Sequence, residues 1–238
     1  MRLTSALLGA LLAITAVVSP VAAETRRSRI GHSVEGRAIR VVERGDFSSR
    51  NRILVVGCIH GNECAGSAVI RKLRKARLAD DLDLFLIGTV NPDGRKSNTR
   101  QNARGVDLNR NFKHHWREEG QRWDTYYPGP RPWSEPETRA VRDFVLEIKP
   151  RITIYYHQAM SLVTKLGGRR DRRIQRRYAR KVDLPLRRLW RRGTATRWQN
   201  HKLNRTTSIA VELPGGTMSR SAVGRHTRAV KAVARMIR

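Results

Sequence analysis

The chain has 238 residues, 39% of them hydrophobic, which suits one domain of ordinary size with a large buried core. Its 49 Lys and Arg against 20 Asp and Glu give a formal net charge of +29, which is either a solvated basic surface or an attraction for acidic partners such as an anionic cell-wall polymer. No nucleic-acid-binding motif is present, which argues against nucleic acid as the partner, and beyond the N-terminus no apolar stretch approaches the ~20 residues of a membrane span.

Residues 1–23, "MRLTSALLGALLAITAVVSPVAA", hold one Arg, an apolar run from Ala6 to Val18, a Pro and the small-residue end Val21-Ala22-Ala23. That is the layout of a secretory signal peptide, with cleavage expected after Ala23 and a secreted or cell-envelope location for the rest. The competing reading is an uncleaved N-terminal anchor. Residues 24–238 then form the folded domain. "GRAIRVVERG" (36–45) alternates as an edge strand does, and "RILVVGC" (52–58) is the continuous apolar run of a strand buried on both faces. A helix is predicted over 63–77, with Ala65, Ala68, Val69 and Leu73 on one side, followed by a second buried strand over 83–90 that the turn "NPDG" ends. The stretch 134–148 reads as a helix with Ser134 as N-cap, Glu137 at the capping-box position and a stop before Pro150. "RITIYYH" (151–157) and "SIAVELP" (208–214) are two more strands. The Arg-dense "GGRRDRRIQRRYARK" (167–181) is a basic helix or loop, and "SAVGRHTRAVKAVARMIR" a C-terminal helix. This alternation predicts a single layered α/β/α domain with a mostly parallel, mixed central sheet.

The strand ends carry the functional signal. The 52–58 strand runs into His60 and Glu63, the 83–90 strand into Asn91 and Asp93, the 151–156 strand ends at His157, and the 208–211 strand ends at Glu212. Open α/β sheets bind ligands outside the carboxyl ends of their strands, so parallel neighbours gather these residues at one edge. A catalytic zinc takes three protein ligands, often two His and one Glu, and keeps an open position for water. His60, Glu63 and His157 supply that set, two from the turn "GCIHGNEC" and one from a distant strand end. His32, His114, His115, His201 and His226 lie in polar surroundings without strand context. Cys58 and Cys64, the only cysteines, either pair across the turn and stiffen it, as an exported protein allows, or stay two small buried thiols.

"GCIHGNE", "TVNPDG", "GVDLNRNF", "SEPET", "YYHQ" and "AVELP" follow one another in this order over about residues 31–238. The ordered set resembles the zinc carboxypeptidase (metallocarboxypeptidase) family, and looks most like its compact bacterial branch of murein peptide amidases and gamma-D-glutamyl-diaminopimelate peptidases. The resemblance implies one zinc ion on His60, Glu63 and His157, with Glu212 as the general base. It implies that Asn109 and Arg110 grip the free carboxylate of a peptide substrate, and that Asp107 orients a zinc-bound histidine. Charge developing on the carbonyl oxygen needs a cation, for which Arg100 in "TRQNARG" is the first choice and Arg104 the alternative. Digestive-type members place a tyrosine on a mobile loop ahead of the catalytic glutamate. The corresponding "GTATRWQNHKLNRTTS" has Trp198 but no Tyr.

The expectation is therefore a secreted zinc metallocarboxypeptidase acting on an amide next to a free carboxylate, with peptidoglycan stem peptides as leading substrate. The alternatives are a peptide-scavenging carboxypeptidase, an aspartoacylase-type acylase, whose relatives also show a His-Gly-Asn-Glu turn, and a non-catalytic basic envelope-binding protein.

Overall fold

Ile53, Leu54, Val55 and Val56 are each fully buried because they alternate between two cores on opposite faces of one sheet. A computed structural model describes residues 24–237 of the chain. The signal-peptide reading of residues 1–23 lies outside the described residues. The strands are β1 (Glu24–His32), β2 (Ala38–Gly45), β3 (Arg52–Val56), β4 (Asp83–Ile87), β5 (Ile152–Gln158), β6 (Leu162–Thr164), β7 (Leu186–Arg187) and β8 (Thr207–Leu213). They form an eight-stranded mixed sheet in the order β1-β2-β4-β3-β5-β8-β6-β7. The central four, β4, β3, β5 and β8, run parallel, while β1/β2, β2/β4 and β6/β8 pair antiparallel.

The helices are α1 (Ser67–Leu73), α2 (Pro92–Ser97), α3 (Pro136–Ile148), α4 (Arg169–Val182), α5 (Ala195–Lys202) and α6 (Arg220–Ala234). Side chains of α1, α4 and α6 join Ile53, Val55, Ile154 and Val211 in one core. Those of α3 and α5 join Leu54, Val56 and Tyr155 in the other. This is the α/β/α layering expected from the alternation of elements.

Several local expectations are corrected. The 36–45 strand is not at the edge. It is covered by β1, a strand whose residues are mostly exposed and which therefore carries no apolar pattern to read. The predicted 63–77 helix contracts to α1, because residues 63–66 belong to the turn that carries Glu63. "NPDG" does not form a simple turn but opens α2, with Asn91 Oδ1 accepting from Gly94 N at 2.9 Å. Helix α3 starts at Pro136 with Glu135, not Ser134, at the N-cap. Ser134 Oγ donates to Glu135 (2.7 Å), and Glu137 accepts from Val34 N (3.0 Å) and Asn102 (3.2 Å) instead of closing a capping box. The basic stretch is helix α4. Within "GTATRWQNHKLNRTTS" the chain forms α5, capped by Thr194, and Trp198 is buried against Phe112 and Trp133.

Candidate metal centre

Two ends of the central strands and two loops meet at one cavity of about 210 Å3. His157 and Glu212 are register partners on β5 and β8. Equal parity puts both on the sheet face that also carries Tyr155 and Ala210. The loop after β3 delivers His60 and Glu63, and it can do so only because Gly61 lets the chain pass the backbone of Gly94. A Cβ at Gly61 would stand 2.0 Å from the Gly94 carbonyl carbon. Cys58 and Cys64 form a disulfide across this loop, with Cα atoms 4.7 Å apart, so the turn is covalently braced.

His60 Nε2–H donates to Asp107 Oδ1 at 2.9 Å, which turns Nδ1 toward Glu63 and His157 as the nitrogen that would ligate an ion. That nitrogen is 2.9 Å from Glu63 Oε2 and 3.3 Å from His157 Nδ1, and His157 Nδ1 is 3.3 Å from the same Glu63 oxygen. Ligands ~2.0–2.1 Å from a tetrahedral zinc stand about 3.3 Å apart, so this donor set fits that ion in both chemistry and spacing. Among the described residues, His60, Glu63 and His157 are the only His/Cys/Asp/Glu group of three with ligand atoms this close.

The carboxylates are tuned by what surrounds them. Burial pushes Glu63 up, but hydrogen bonds from His157 and His60 outweigh it and hold its pKa below the usual carboxylate range. Asp107 is fully buried, which also raises it, yet His60, Arg110 and Arg100 pull it well below that range. Its Oδ2 accepts from Arg100 Nε (3.1 Å) and Nη2 (2.9 Å), and its Oδ1 also caps the short 3-10 turn Leu108–Arg110 by accepting from Asn109 N (2.8 Å). Asp107 thus locks the His60 tautomer and the Arg100 guanidinium together. Glu212 behaves differently: burial and the neighbouring Glu63 raise its pKa above the ordinary value, against the pull of His157, His60 and Arg100.

Arg100 reaches the cavity and also binds Glu63 Oε1 at 2.5 Å. Arg104 does not line the cavity. It is half exposed and stands 3.9 Å from Glu135. Asn109 Nδ2 lies 3.4 Å from His157 Nε2, and its Oδ1 accepts from Ala195 N at 3.0 Å. Arg110 donates to the Asn109 carbonyl at 2.7 Å. The structure therefore brings His60, Glu63, His157, Glu212, Arg100, Asn109 and Arg110 to one cavity. It adds residues that sequence reading passed over: Tyr126, whose ring centre is 5.4 Å from the Arg100 guanidinium carbon and 5.0 Å from that of Arg110, and Arg191 and Arg197. Tyr126 sits in an irregular segment with no periodicity or motif to flag it. Outside the site, His114 stacks on His201 and packs against His115, and His226 accepts a place in a buried network with Tyr178 at 2.9 Å.

A three-ligand metal site with an acidic neighbour, at the carboxyl ends of parallel strands, defines a metallohydrolase-type centre. A profile described as "Zinc carboxypeptidase" matches residues 17–218, and the chain belongs to that family of metallopeptidases. Zinc is the ion the family binds, and His60, Glu63 and His157 are the residues placed to hold it here. Murein peptide amidase A of Escherichia coli (strain K12) is 29% identical over 127 residues, covering 49% of this chain and 52% of that protein. Human carboxypeptidase A6 is 31% identical over 156 residues, covering 53% of this chain and 36% of that protein. The matches thus span between a third and about half the length of these relatives. Among solved structures, murein-tripeptide amidase MpaA from Escherichia coli O157 superposes with a TM-score of 0.69 at 24% identity, covering 93% of this chain and 94% of that one. Thrombin activatable fibrinolysis inhibitor superposes with a TM-score of 0.78 at 18% identity, covering 90% and 69%. These likenesses establish the shared fold.

Proposed function

We propose that this chain is an exported zinc-dependent metallocarboxypeptidase that hydrolyses a peptide or amide bond adjacent to a free carboxylate, on cell-wall peptides. The observation that carries the reading is the convergence in one cavity of three metal ligands, a raised carboxylic acid and an Asn–Arg pair. Zinc held there by His60, Glu63 and His157 would lower the pKa of a water to about 7 and polarise the scissile carbonyl.

The chain's own residues do the rest. Arg110 offers a planar fork to the substrate carboxylate, with Asn109 beside it, and so fixes which bond lies over the metal centre. Glu212 takes a proton from the attacking water and returns it to the leaving amine. Its raised pKa brings the two tasks closer together in driving force. Arg100, held by Glu63 and Asp107, keeps further N–H donors for charge that develops on the carbonyl oxygen.

Export is supported by the layout of residues 1–23 and by a disulfide, which persists in oxidising compartments. Among the described residues no helix is long and apolar enough to cross a membrane. A wall-peptide substrate is supported by the likeness to murein peptide amidases in sequence and in overall extent, and by the net charge of +29, which attracts polyanionic material. The test is a matched pair of peptidoglycan stem peptides, one with its terminal carboxyl free and one with it amidated. Release of the terminal residue from the free acid alone is expected. Equal cleavage of both would refute the role given to Asn109 and Arg110.

A further inference from the structure

Helix α4 (Arg169–Val182) holds seven Arg and one Lys among its 14 residues, with Asp171 its one acid. Ile174, Tyr178, Ala179 and Val182 are buried in the core, which leaves Arg173, Arg176, Arg177, Arg180 and Lys181 exposed. Steps of three and four residues set these five on one stripe, and Arg173, Arg177 and Lys181 follow one another every ~6 Å along the axis. Like charges at this spacing destabilise a helix, and among the described residues none of the five forms an ion pair that would offset the repulsion. Asp171 is engaged elsewhere, accepting from Gly168 N (2.9 Å) and Thr207 Oγ1 (2.6 Å). The platform is nonetheless firmly held. The Tyr178 hydroxyl bonds to those of Tyr156 (2.6 Å) and to His226 (2.9 Å), and Gln175 bonds both the N–H (3.2 Å) and the carbonyl (2.7 Å) of Leu166. Leu166 also lines the metal-centre cavity, so the stripe keeps a fixed place relative to it.

We infer that the exposed face of α4 is a docking surface for a linear phosphodiester polymer of the cell envelope, which holds the protein on that polymer with its cavity in a fixed orientation. A row of cations at short, regular steps is complementary to a chain with one charge per short repeat, and guanidinium forks match phosphate oxygens. An open groove of about 400 Å3 runs beside Arg176 and Arg180 and is walled by Leu184, Pro185 and Leu186, with Asp183 its one acid. It offers the carbon linkers between phosphates an apolar surface. Nucleic acid fits less well, because single strands bind by stacking bases on aromatic side chains, and none is exposed on α4. A bilayer fits less well too, since the apolar side that would enter it is buried in the core. The envelope setting rests on the export reading; the chemistry of the surface does not.

The test is binding of the full domain to labelled poly(glycerol phosphate) across a salt series from ~50 to ~200 mM. Each cation that meets a single-stranded polyanion contributes about 0.7 to the slope of log affinity against log salt. Arg173→Gln with Arg177→Gln and Lys181→Gln should therefore lower the slope by about 2, and Arg177→Gln alone by about 0.7. Arg27→Gln with Arg29→Gln and Arg40→Gln, exposed on β1 and β2, removes the same charge and should leave the slope unchanged. Equal losses in the two triple variants would reduce the effect to net charge and overturn the inference. So would equally tight binding of poly-L-glutamate, or tighter α4-dependent binding of duplex DNA or of phosphatidylglycerol vesicles. No α4 side chain lines the cavity, so turnover of a soluble stem peptide should be the same in the α4 triple variant as in wild type. Failure of docking thus leaves the hydrolytic reading standing, and absence of turnover leaves the docking result standing.

Discussion

Asp107→Asn is the most informative single substitution, because one fully buried carboxylate serves the metal ligand, the cationic donor and the loop at once. Its two oxygens accept from His60 Nε2, Asn109 N and two nitrogens of Arg100, all between 2.8 and 3.1 Å. Asparagine keeps the shape and can still accept from His60 and Asn109, but its NH2 then faces the Arg100 donors. Two charge-assisted hydrogen bonds, each worth about 1.5–3 kcal/mol, are lost. Glu63 still pairs with Arg100, so the net cost to stability is about 3 kcal/mol rather than the full sum. Zinc affinity is expected to fall about 10–100-fold, the usual effect of removing a ligand's carboxylate partner. Chelator-competition titration gives the affinity, and thermal unfolding with and without zinc separates it from fold stability. An affinity within twofold of wild type would refute the claim that the Asp107 carboxylate strengthens His60 as a metal ligand.

Other outcomes follow from the same geometry. Cys58→Ser with Cys64→Ser should cost about 2 kcal/mol, the entropy of a short closed loop, with His60 and Glu63 still binding zinc; unfolding under denaturant and metal analysis of the same sample check both. Asp83 is fully buried, and burial with repulsion from Glu43 raises its pKa from 3.8 to about 7. A raised carboxyl contributes its stability below the unfolded value and loses it as pH climbs to the folded one. Stability of the zinc-free protein should therefore decline between pH ~4 and ~7 through this group, and Asp83→Asn should flatten the decline in pH-dependent melting curves. Arg110→Gln should raise KM for free-acid peptides by about tenfold or more, since a bidentate partner is lost; an unchanged KM would remove Arg110 from the substrate grip.

Much of the fold was legible because buried parallel strands leave a plain mark. Ile53–Val56 is a continuous apolar run and Ile152–Tyr156 is broken only by Thr153, and each is followed closely by an ionisable residue that core packing does not require. The metal ligands were readable for the same reason. Strand β1 was not, since Glu24–His32 is held by its ladder to β2 rather than by burial. Helix α5 was missed because its anchor is a tertiary contact, the Asn109 side chain on Ala195 N, which no local pattern encodes. Tyr126 and Arg197 line the cavity from segments distant in sequence from the metal ligands, with no local pattern to mark either.

The central claim, that Glu212 works as the proton carrier beside a metal held by His60, Glu63 and His157, is tested most directly by Glu212→Gln. Zinc content and turnover of a free-acid stem peptide are measured on one preparation alongside wild type. The account predicts the same zinc stoichiometry with turnover lower by about 10²–10⁴-fold. Turnover within a few-fold of wild type, with zinc bound, would contradict it.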